Sequence, residues 1–550
     1  MFSNLFNLKI GWQASGKYIG YRMQLVMLML MSGFIIINIK LLLVSTTKHL
    51  TYAKAKEQNL TRQDIVDRNG ALVATSIPIY SLFANPSKMI NKKHAVESLA
   101  KVIKISNQTK LLAELNDQKN FVWIKRNLTP RHEETINALG IPGIGFEKSF
   151  KRIYSYNNLL AHVIGYVNID NKGLAGVERF FNDELSKTDN LEAHNKLELT
   201  IDVRVQNILH EELDNAIKEF GAIGAAGVIV DPNTGEILAL VSKPDFNPHN
   251  PGEAKSEELF NKTSLGSYEF GSVFKILTVA IGLDTKTIGV NNLYDISHLK
   301  VGKFSIQDFH NSSGLHTVAQ IFAKSSNKGT AKIALDIGQK NFRQYLKKLK
   351  LDNQVITEIP EKNIPILSLD KKWSDISMAT ISYGYGVATS VLSLVQAIIP
   401  TVNGGLLYPL TLVKKDTKPI GVEVFSPQTS EDIKKLLRLV VTDGTGKKSN
   451  VPGYMVGGKS GTVNKLNGKH YAKNSRMSSF VSIFPSNEPK YLIYVMLDEP
   501  NPTSTTAGLA TGGATAAPTV GRIISRIISL TGMLPNDTDD LRDKKINDNI

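Results

Sequence analysis

The chain runs to 550 residues without a single cysteine. That excludes a thiol nucleophile, a cysteine-ligated zinc, an iron–sulfur cluster, a disulfide framework and cysteine lipidation. It is weak evidence on compartment, because proteins in reducing and oxidising environments alike can do without thiols. No zinc-finger spacing, RNP motif or basic helix with interleaved aromatics accompanies the net charge of +15 and pI near 9.4, so the basic excess does not point to nucleic acid. A dispersed, solvated basic surface accounts for it. No internal repeat stands out. The segment before the first apolar run has no acidic residue, though it holds Lys9, Lys17 and Arg22.

What is present begins with that run. Met23 to Ile39, MQLVMLMLMSGFIIINI, is uncharged, and LLLV continues it beyond Lys40. A lysine there can snorkel, so the stretch suffices for a short membrane span, with the basic flank favouring an inside N-terminus. A cleaved signal peptide would end at a small-x-small site, which VSTTKHL does not supply. The expectation is an uncleaved anchor with everything after about residue 45 outside the cytoplasm. The length calls for two or three folded units, and 42% hydrophobic with 21% charged residues is ordinary globular composition. From about 60 to 190, β-rich runs such as YSLFA and FVWIK alternate with helical stretches such as HAVESLAKVIK, ending in the charged link SKTDNLEAHNK. Beyond Leu199, GAAGVIV and EILALV flank a turn-rich pentapeptide, and SSFVSIF and YLIYVML flank PSNEPK; both pairs predict antiparallel hairpins. Helical patterns such as FKILTVAIGLD and VLSLVQAIIPTV lie between them, which implies an α+β domain with a mostly antiparallel sheet.

The chemistry starts at YEFGSVFKILT. Gly271 suits a turn into a helix, and Phe274, Leu277, Ala280 and Ile281 then recur at helical spacing. Ser272 and Lys275, three apart, share a face of the first turn, where unpaired amides and the positive dipole end favour a serine alkoxide and a tetrahedral oxyanion. A lysine that takes the serine's proton must be neutral, far below its free pKa of about 10.4; burial, the dipole and a second cation all push that way. Taken alone, S-x-x-K is a common accident. Two further stretches alter that: Ser325-Ser326-Asn327, and Lys459-Ser460-Gly461-Thr462. Each has an innocent reading, as a cap or as an exposed strand charge. The third overlaps a decoy, since Gly453 to Ser460 satisfies G-x-x-x-x-G-K-S. A P-loop needs a helix starting at the lysine, whereas Gly461, Thr462, Val463 and the Asn467-Gly468 turn read as a strand entering a hairpin, so a nucleotide triphosphatase is rejected.

The ordered set S-x-x-K, S-x-N and K-S/T-G resembles that of penicillin-binding proteins and class A β-lactamases. Over nearly its whole length the chain resembles class B penicillin-binding proteins, the peptidoglycan D,D-transpeptidases, with closest likeness to the division type (FtsI/PBP3-like). RQDIVDRNGALVATS, GIGFEKSFKRIYSYNNLLAHVIGYVNIDNKGLAGVE, LTIDVRVQ, ATISYGYGVATSVLSLVQA and VVTDGTGKKSNVPGYMVGGKSGT carry the likeness outside the three motifs. It implies residues 1–22 as a short cytoplasmic segment, 23–44 as the anchor, 45–196 as a β-rich pedestal (dimerisation) domain, 197–530 as the transpeptidase domain and 531–550 as a polar, disordered tail. It further implies Ser272 as nucleophile, Lys275 as general base, and Ser325 and Asn327 as holders of Lys275 and proton carriers. Lys459, a cation, would bind the substrate's terminal carboxylate with Ser460 and Thr462 beside Gly461, and the amides of Ser272 and Thr462 would form an oxyanion hole. Implied partners are D-Ala-D-Ala stem peptides, β-lactams, the membrane, a polytopic glycosyltransferase and other division proteins; no nucleic acid, metal or cofactor is implied. The implied location is the inner membrane, single-pass, with a periplasmic catalytic domain at the division site. Two departures stand out. Phe270 occupies the place of a common proline, and Ser460 that of a common threonine, a serine that elongation-type relatives often carry. An elongation-type transpeptidase, a carboxypeptidase, a β-lactamase, or a penicillin-binding sensor or scaffold are the rival readings. No water-activating carboxylate is identifiable for a β-lactamase, and one span with a short inner segment argues against a sensor.

Overall fold

The computed structural model describes residues 17–57, 61–117, 120–187, 196–309, 312–367, 369, 372–417, 419–467 and 470–535. The tail beyond 535, the first sixteen residues, most of the charged link and Gly468 of the expected turn lie outside the described residues. Helix α1 (Lys17–Glu57) contains an apolar stretch, Met23–Leu43, of 21 residues and mean hydropathy 2.3, none of it buried. At 1.5 Å per residue that stretch is about 30 Å long, the thickness of a bilayer's hydrocarbon core.

From residue 62 onward the chain forms a second, single compact unit. Its first part comprises β1 (Ile65–Val66), β2 (Leu72–Ala84), α2 (Lys92–Val102), α3 (Gln108–Asn116), β3 (Val122–Leu128), α4 (Pro130–Asn137) and β4 (Ile144–Tyr154). The long β2 pairs antiparallel with β1, β3 and β4. The helices start where a side chain can take up an orphan amide: Asn91 accepts from His94 N at 3.0 Å and Asn107 from Lys110 N at 2.9 Å. A fully buried Glu178 lies between Arg62 Nε at 2.9 Å and Arg152 Nε at 2.6 Å. A buried carboxylate is tolerable only with such partners, because its desolvation is otherwise uncompensated. The contact joins two stretches singled out in the sequence, RQDIVDRNG and DNKGLAGVE.

The second part is reached through β5 (Leu197–Glu198), which runs parallel to β1. It contains α5 (Val203–Phe220), β6 (Gly224–Val230), β7 (Ile237–Lys243), α6 (Lys275–Asp284), α7 (Val318–Lys324), α8 (Asn327–Ile337), α9 (Val391–Ile398), α10 (Pro427–Thr442), β8 (Gly457–Asn467), β9 (His470–Phe484), β10 (Tyr491–Asp498) and α11 (Ala516–Thr531). The five strands form one antiparallel sheet in the order β8-β9-β10-β6-β7. Side chains alternate across a strand. Leu492, Tyr494 and Met496 therefore join the core around α6, while Ile493, Val495 and Leu497 pack with α5 and α11. Helices cover both faces, which is why YLIYVML reads as unbroken apolar sequence instead of alternating. The antiparallel sheet flanked by helices is the α+β architecture expected from the sequence.

Helix α6 positions the first of the three motifs. Every residue from Lys275 to Gly282 is buried, as an all-round apolar helix requires. Its first turn is a 3-10 segment, Gly271–Phe274, so Ser272 precedes the α-helix proper, held by the core behind it.

Candidate active site

Three chain segments meet at one cleft of about 610 Å³, whose lining includes Ser272, Ser325, Asn327, Ser460 and Thr462. The Ser272 turn comes first. Gly271 has φ +51°, and a Cβ there would stand 2.9 Å from the carbonyl oxygen of Thr462. Glycine is thus required twice over, by conformation and by space. The turn is tied down on both sides: Gly271 N donates to Gly384 O at 3.2 Å, and Tyr268 and Thr389 exchange backbone hydrogen bonds. Glu269, whose carboxyl burial holds above its usual range, accepts from Gly386 N at 2.6 Å and from the Tyr471 hydroxyl. Phe270, where the resemblance leads one to expect a proline, is buried edge-on against Tyr494. Packing and these bonds fix the loop without the ring.

Lys275 and Lys459 are both fully buried, and one serine bridges them. Lys275 Nζ donates to the Ser325 carbonyl at 2.6 Å and to Ser325 Oγ at 3.2 Å. Lys459 Nζ donates to the same Oγ at 2.9 Å and to the Ser460 carbonyl at 3.2 Å. Burial above all, then the Lys459 charge, push the Lys275 amine well below its ordinary pKa, against an upward pull from Asp308. Burial alone brings Lys459 down to about 7. Two adjacent ammoniums in such a place are unfavourable, so the pair as a whole is driven to give up one of its two protons.

Ser325 ends α7 with φ +61°, and Ser326 caps α8 by accepting from Gly329 N. Asp308 holds this junction. Its carboxylate accepts from Ser326 Oγ at 2.8 Å, Asn327 N at 2.5 Å and Lys328 N at 3.0 Å, an anion on a helix N-terminus. Asn327 lines the cleft and its amide nitrogen donates to Gln307 O at 3.0 Å, while among the described residues its Oδ1 accepts from neither buried lysine. The Ser272 hydroxyl has no hydrogen bond among the described residues and opens on the cleft.

The third segment is β8, the strand expected after the rejected P-loop. Among the described residues it is an edge strand, so one row of its N–H and C=O groups is left without a strand partner there. Ser460 Oγ bonds Thr445 Oγ1 at 2.7 Å, and Thr462 Oγ1 accepts from Gly512 N at 3.0 Å. Gly461 is buried against the Ser272 turn. The eight residues singled out in the sequence are therefore gathered from three distant stretches. Sequence reasoning missed Asp308, Gly384, Tyr385, Thr445, Asn464 and Arg476. Gly384, Tyr385 and Thr445 fell inside stretches already noted, whereas Asp308 and Arg476 carried no local signal.

A hydroxyl at a helix start beside a depressed, buried amine, with a second amine and an open strand edge, is what serine acyl transfer to and from an amide needs. Comparison with known proteins makes the assignment specific. The penicillin-binding protein transpeptidase domain matches residues 225–525, and the penicillin-binding protein dimerisation domain matches 57–198. Over 485 residues, 86% of this chain and 82% of the relative, the chain is 36% identical to the "Probable peptidoglycan D,D-transpeptidase FtsI" of Caulobacter vibrioides. The transpeptidase domain of Burkholderia pseudomallei penicillin-binding protein 3 aligns at TM-score 0.56 and 31% identity, over 62% of this chain and 97% of that one. Penicillin-binding protein 3 of Mycobacterium tuberculosis, solved with aztreonam, shares the fold at TM-score 0.69 and 22% identity, over 87% and 98% of the two chains. The chain belongs to the class B penicillin-binding proteins, of the FtsI/PBP3 type.

Proposed function

We propose that this protein is the division-type transpeptidase of a cell envelope, anchored by α1 with its catalytic domain on the periplasmic side. Residues 45–196 serve as its pedestal and 197–530 as its catalytic domain. The observation that carries the reading is the pair of buried amines bridged by Ser325 beside the free Ser272 hydroxyl.

In this reading neutral Lys275 takes the Ser272 proton as Oγ attacks the carbonyl of the penultimate D-alanine. The amides of Ser272 and Thr462 receive the oxyanion. The C–N bond then breaks, the leaving D-alanine amine gains a proton through Lys275 and the Ser325–Asn327 segment, and an ester to Ser272 remains. An amine of a neighbouring stem peptide attacks that ester, loses a proton and restores the serine hydroxyl as the cross-link forms. Lys459, with Ser460 and Thr462, binds the donor's terminal carboxylate, and that anion raises the Lys459 pKa again and fixes it as a cation. A β-lactam enters by the same route and leaves Ser272 acylated. The DNKGLAGVE stretch and the FtsI relative support the division role.

A fluorescent penicillin is expected to label the membrane-bound protein covalently, and Ser272→Ala to abolish labelling. Persistent labelling of the variant would remove this nucleophile. Depletion is expected to give filaments; round cells would assign the protein to elongation instead.

A further inference from the structure

Beyond the motif residues, the cleft has a charge pattern of its own. Lys324, Lys448 and Arg476 line it, against Asp308 as the one acid among the described lining residues. Both Asp308 oxygens are already engaged by Ser326 and by the amides starting α8. Lys448 donates to the Thr505 carbonyl. Arg476 is different. It stands directly opposite Asn464 in the β8–β9 pair, and its Nε donates to Asn464 Oδ1 at 3.2 Å. No carboxylate among the described residues pairs with it. Residues alternate along a strand, so Ser460, Thr462 and Asn464 share one face, and Arg476 extends that face across to β9.

Position along β8 gives this guanidinium a meaning. If the donor's terminal carboxylate sits by Lys459 and Ser460, and its scissile carbonyl at the Thr462 amide, the peptide runs along the open strand edge. The residues preceding D-Ala-D-Ala then pass Asn464, about 7 Å further at the rise of an extended chain. We propose that Arg476, oriented by Asn464, is a specificity-determining residue that binds a second carboxylate of the donor stem peptide, on a residue upstream of the D-Ala-D-Ala end. The enzyme accordingly selects donors with a free acid there over donors carrying a carboxamide. Guanidinium and carboxylate pair through two parallel hydrogen bonds, which a carboxamide cannot accept twice. The proposal rests on the transpeptidase reading above, which supplies the direction of the bound peptide.

The test uses the full-length protein in detergent and two synthetic peptides ending in D-Ala-D-Ala, identical except for an upstream free carboxylate or its carboxamide. D-alanine release gives kcat/KM for each, and slowing of fluorescent-penicillin labelling gives their apparent affinities. Wild type is expected to favour the acid by roughly 10- to 100-fold, the range of one charge-assisted pair, and Arg476→Gln to bring the ratio near unity. Equal values for the two peptides in wild type, or a preference that survives Arg476→Gln, overturn the proposal. Should that variant not fold, the wild-type ratio still decides, together with Asn464→Ala, in which the guanidinium loses its anchor and the preference drops. The underlying reading fails separately, through absence of penicillin labelling in the wild type.

Discussion

Gly461→Ala tests how closely the nucleophile turn must lie against β8. An alanine Cβ at 461 would stand 2.6 Å from Ser479 Oγ, 2.8 Å from the Phe270 carbonyl oxygen and 2.8 Å from Val273 Cγ2. The position is in a strand and not at positive φ, so alanine suits the backbone and only space opposes it. Ser479 can rotate its hydroxyl away. The Phe270 carbonyl is main chain, and Val273 is part of the turn itself, so relief to an ordinary contact of 3.4 Å requires the turn to retreat by about 0.6 Å. That retreat carries Ser272 away from Thr462 and from the bridged lysines. Overpacking of this kind costs about 1–3 kcal/mol of stability. A misplacement of this size is expected to slow acylation on the order of 10- to 100-fold, because reacting atoms must be held within a fraction of an ångström. The assay is the second-order rate constant for labelling by a fluorescent penicillin, with thermal unfolding measured in parallel. Gly252→Ala, where a Cβ meets nothing within 4 Å, is the control and keeps the wild-type rate. A Gly461→Ala protein that acylates like wild type would refute the close-approach argument, as would one whose lost rate is fully explained by its unfolded fraction.

Two further substitutions probe the buried amines. Lys459→Met removes the cation that helps to depress Lys275. The Lys275 pKa then rises, less of it is neutral at a given pH, and the acid limb of the acylation-rate profile moves to higher pH while the rate at its plateau falls. An unmoved limb would show that the two amines are not coupled. Asp308→Asn acts with the opposite sign, because the Asp308 charge favours protonated Lys275: the acid limb moves to lower pH. It also weakens three hydrogen bonds at the start of α8, for a stability loss of roughly 1–3 kcal/mol that denaturant titration would register. A limb moving upward in this variant would contradict the assigned cause.

The elements were largely legible because each buries a periodic face. GAAGVIV and YLIYVML are strands covered on both sides, and FKILTVAIGLD is a helix enclosed all round. Burial of Lys275 was legible too, since it opens that apolar helix. Burial of Lys459 was not: GGKSG is a polar-looking edge segment, and only the helical layer brought over it excludes water. Asp308 was invisible for a related reason. A lone acid in a loop looks like a turn residue, and its role depends on the cap of α8, Ser326, which lies 18 residues downstream. The 3-10 turn at Ser272 and the Gln307 partner of Asn327 are likewise products of packing between segments far apart in sequence.

Ser325 is where local preference and site chemistry conflict most openly. Its φ of +61° is a left-handed helix end, a position at which glycine or asparagine is the relaxed choice and another residue is held at a cost of order 1–3 kcal/mol. Glycine would relieve the backbone and still present the carbonyl that Lys275 uses. It could not present the hydroxyl that joins Lys275 to Lys459. A strained serine in place of a relaxed glycine therefore makes sense only if the bridge itself is needed, with one hydroxyl in reach of both amines, accepting from one and donating to the other, so that a proton can move between them as the nucleophile changes charge. The strain is local, and the α6–α8 core around it is dense enough to hold it.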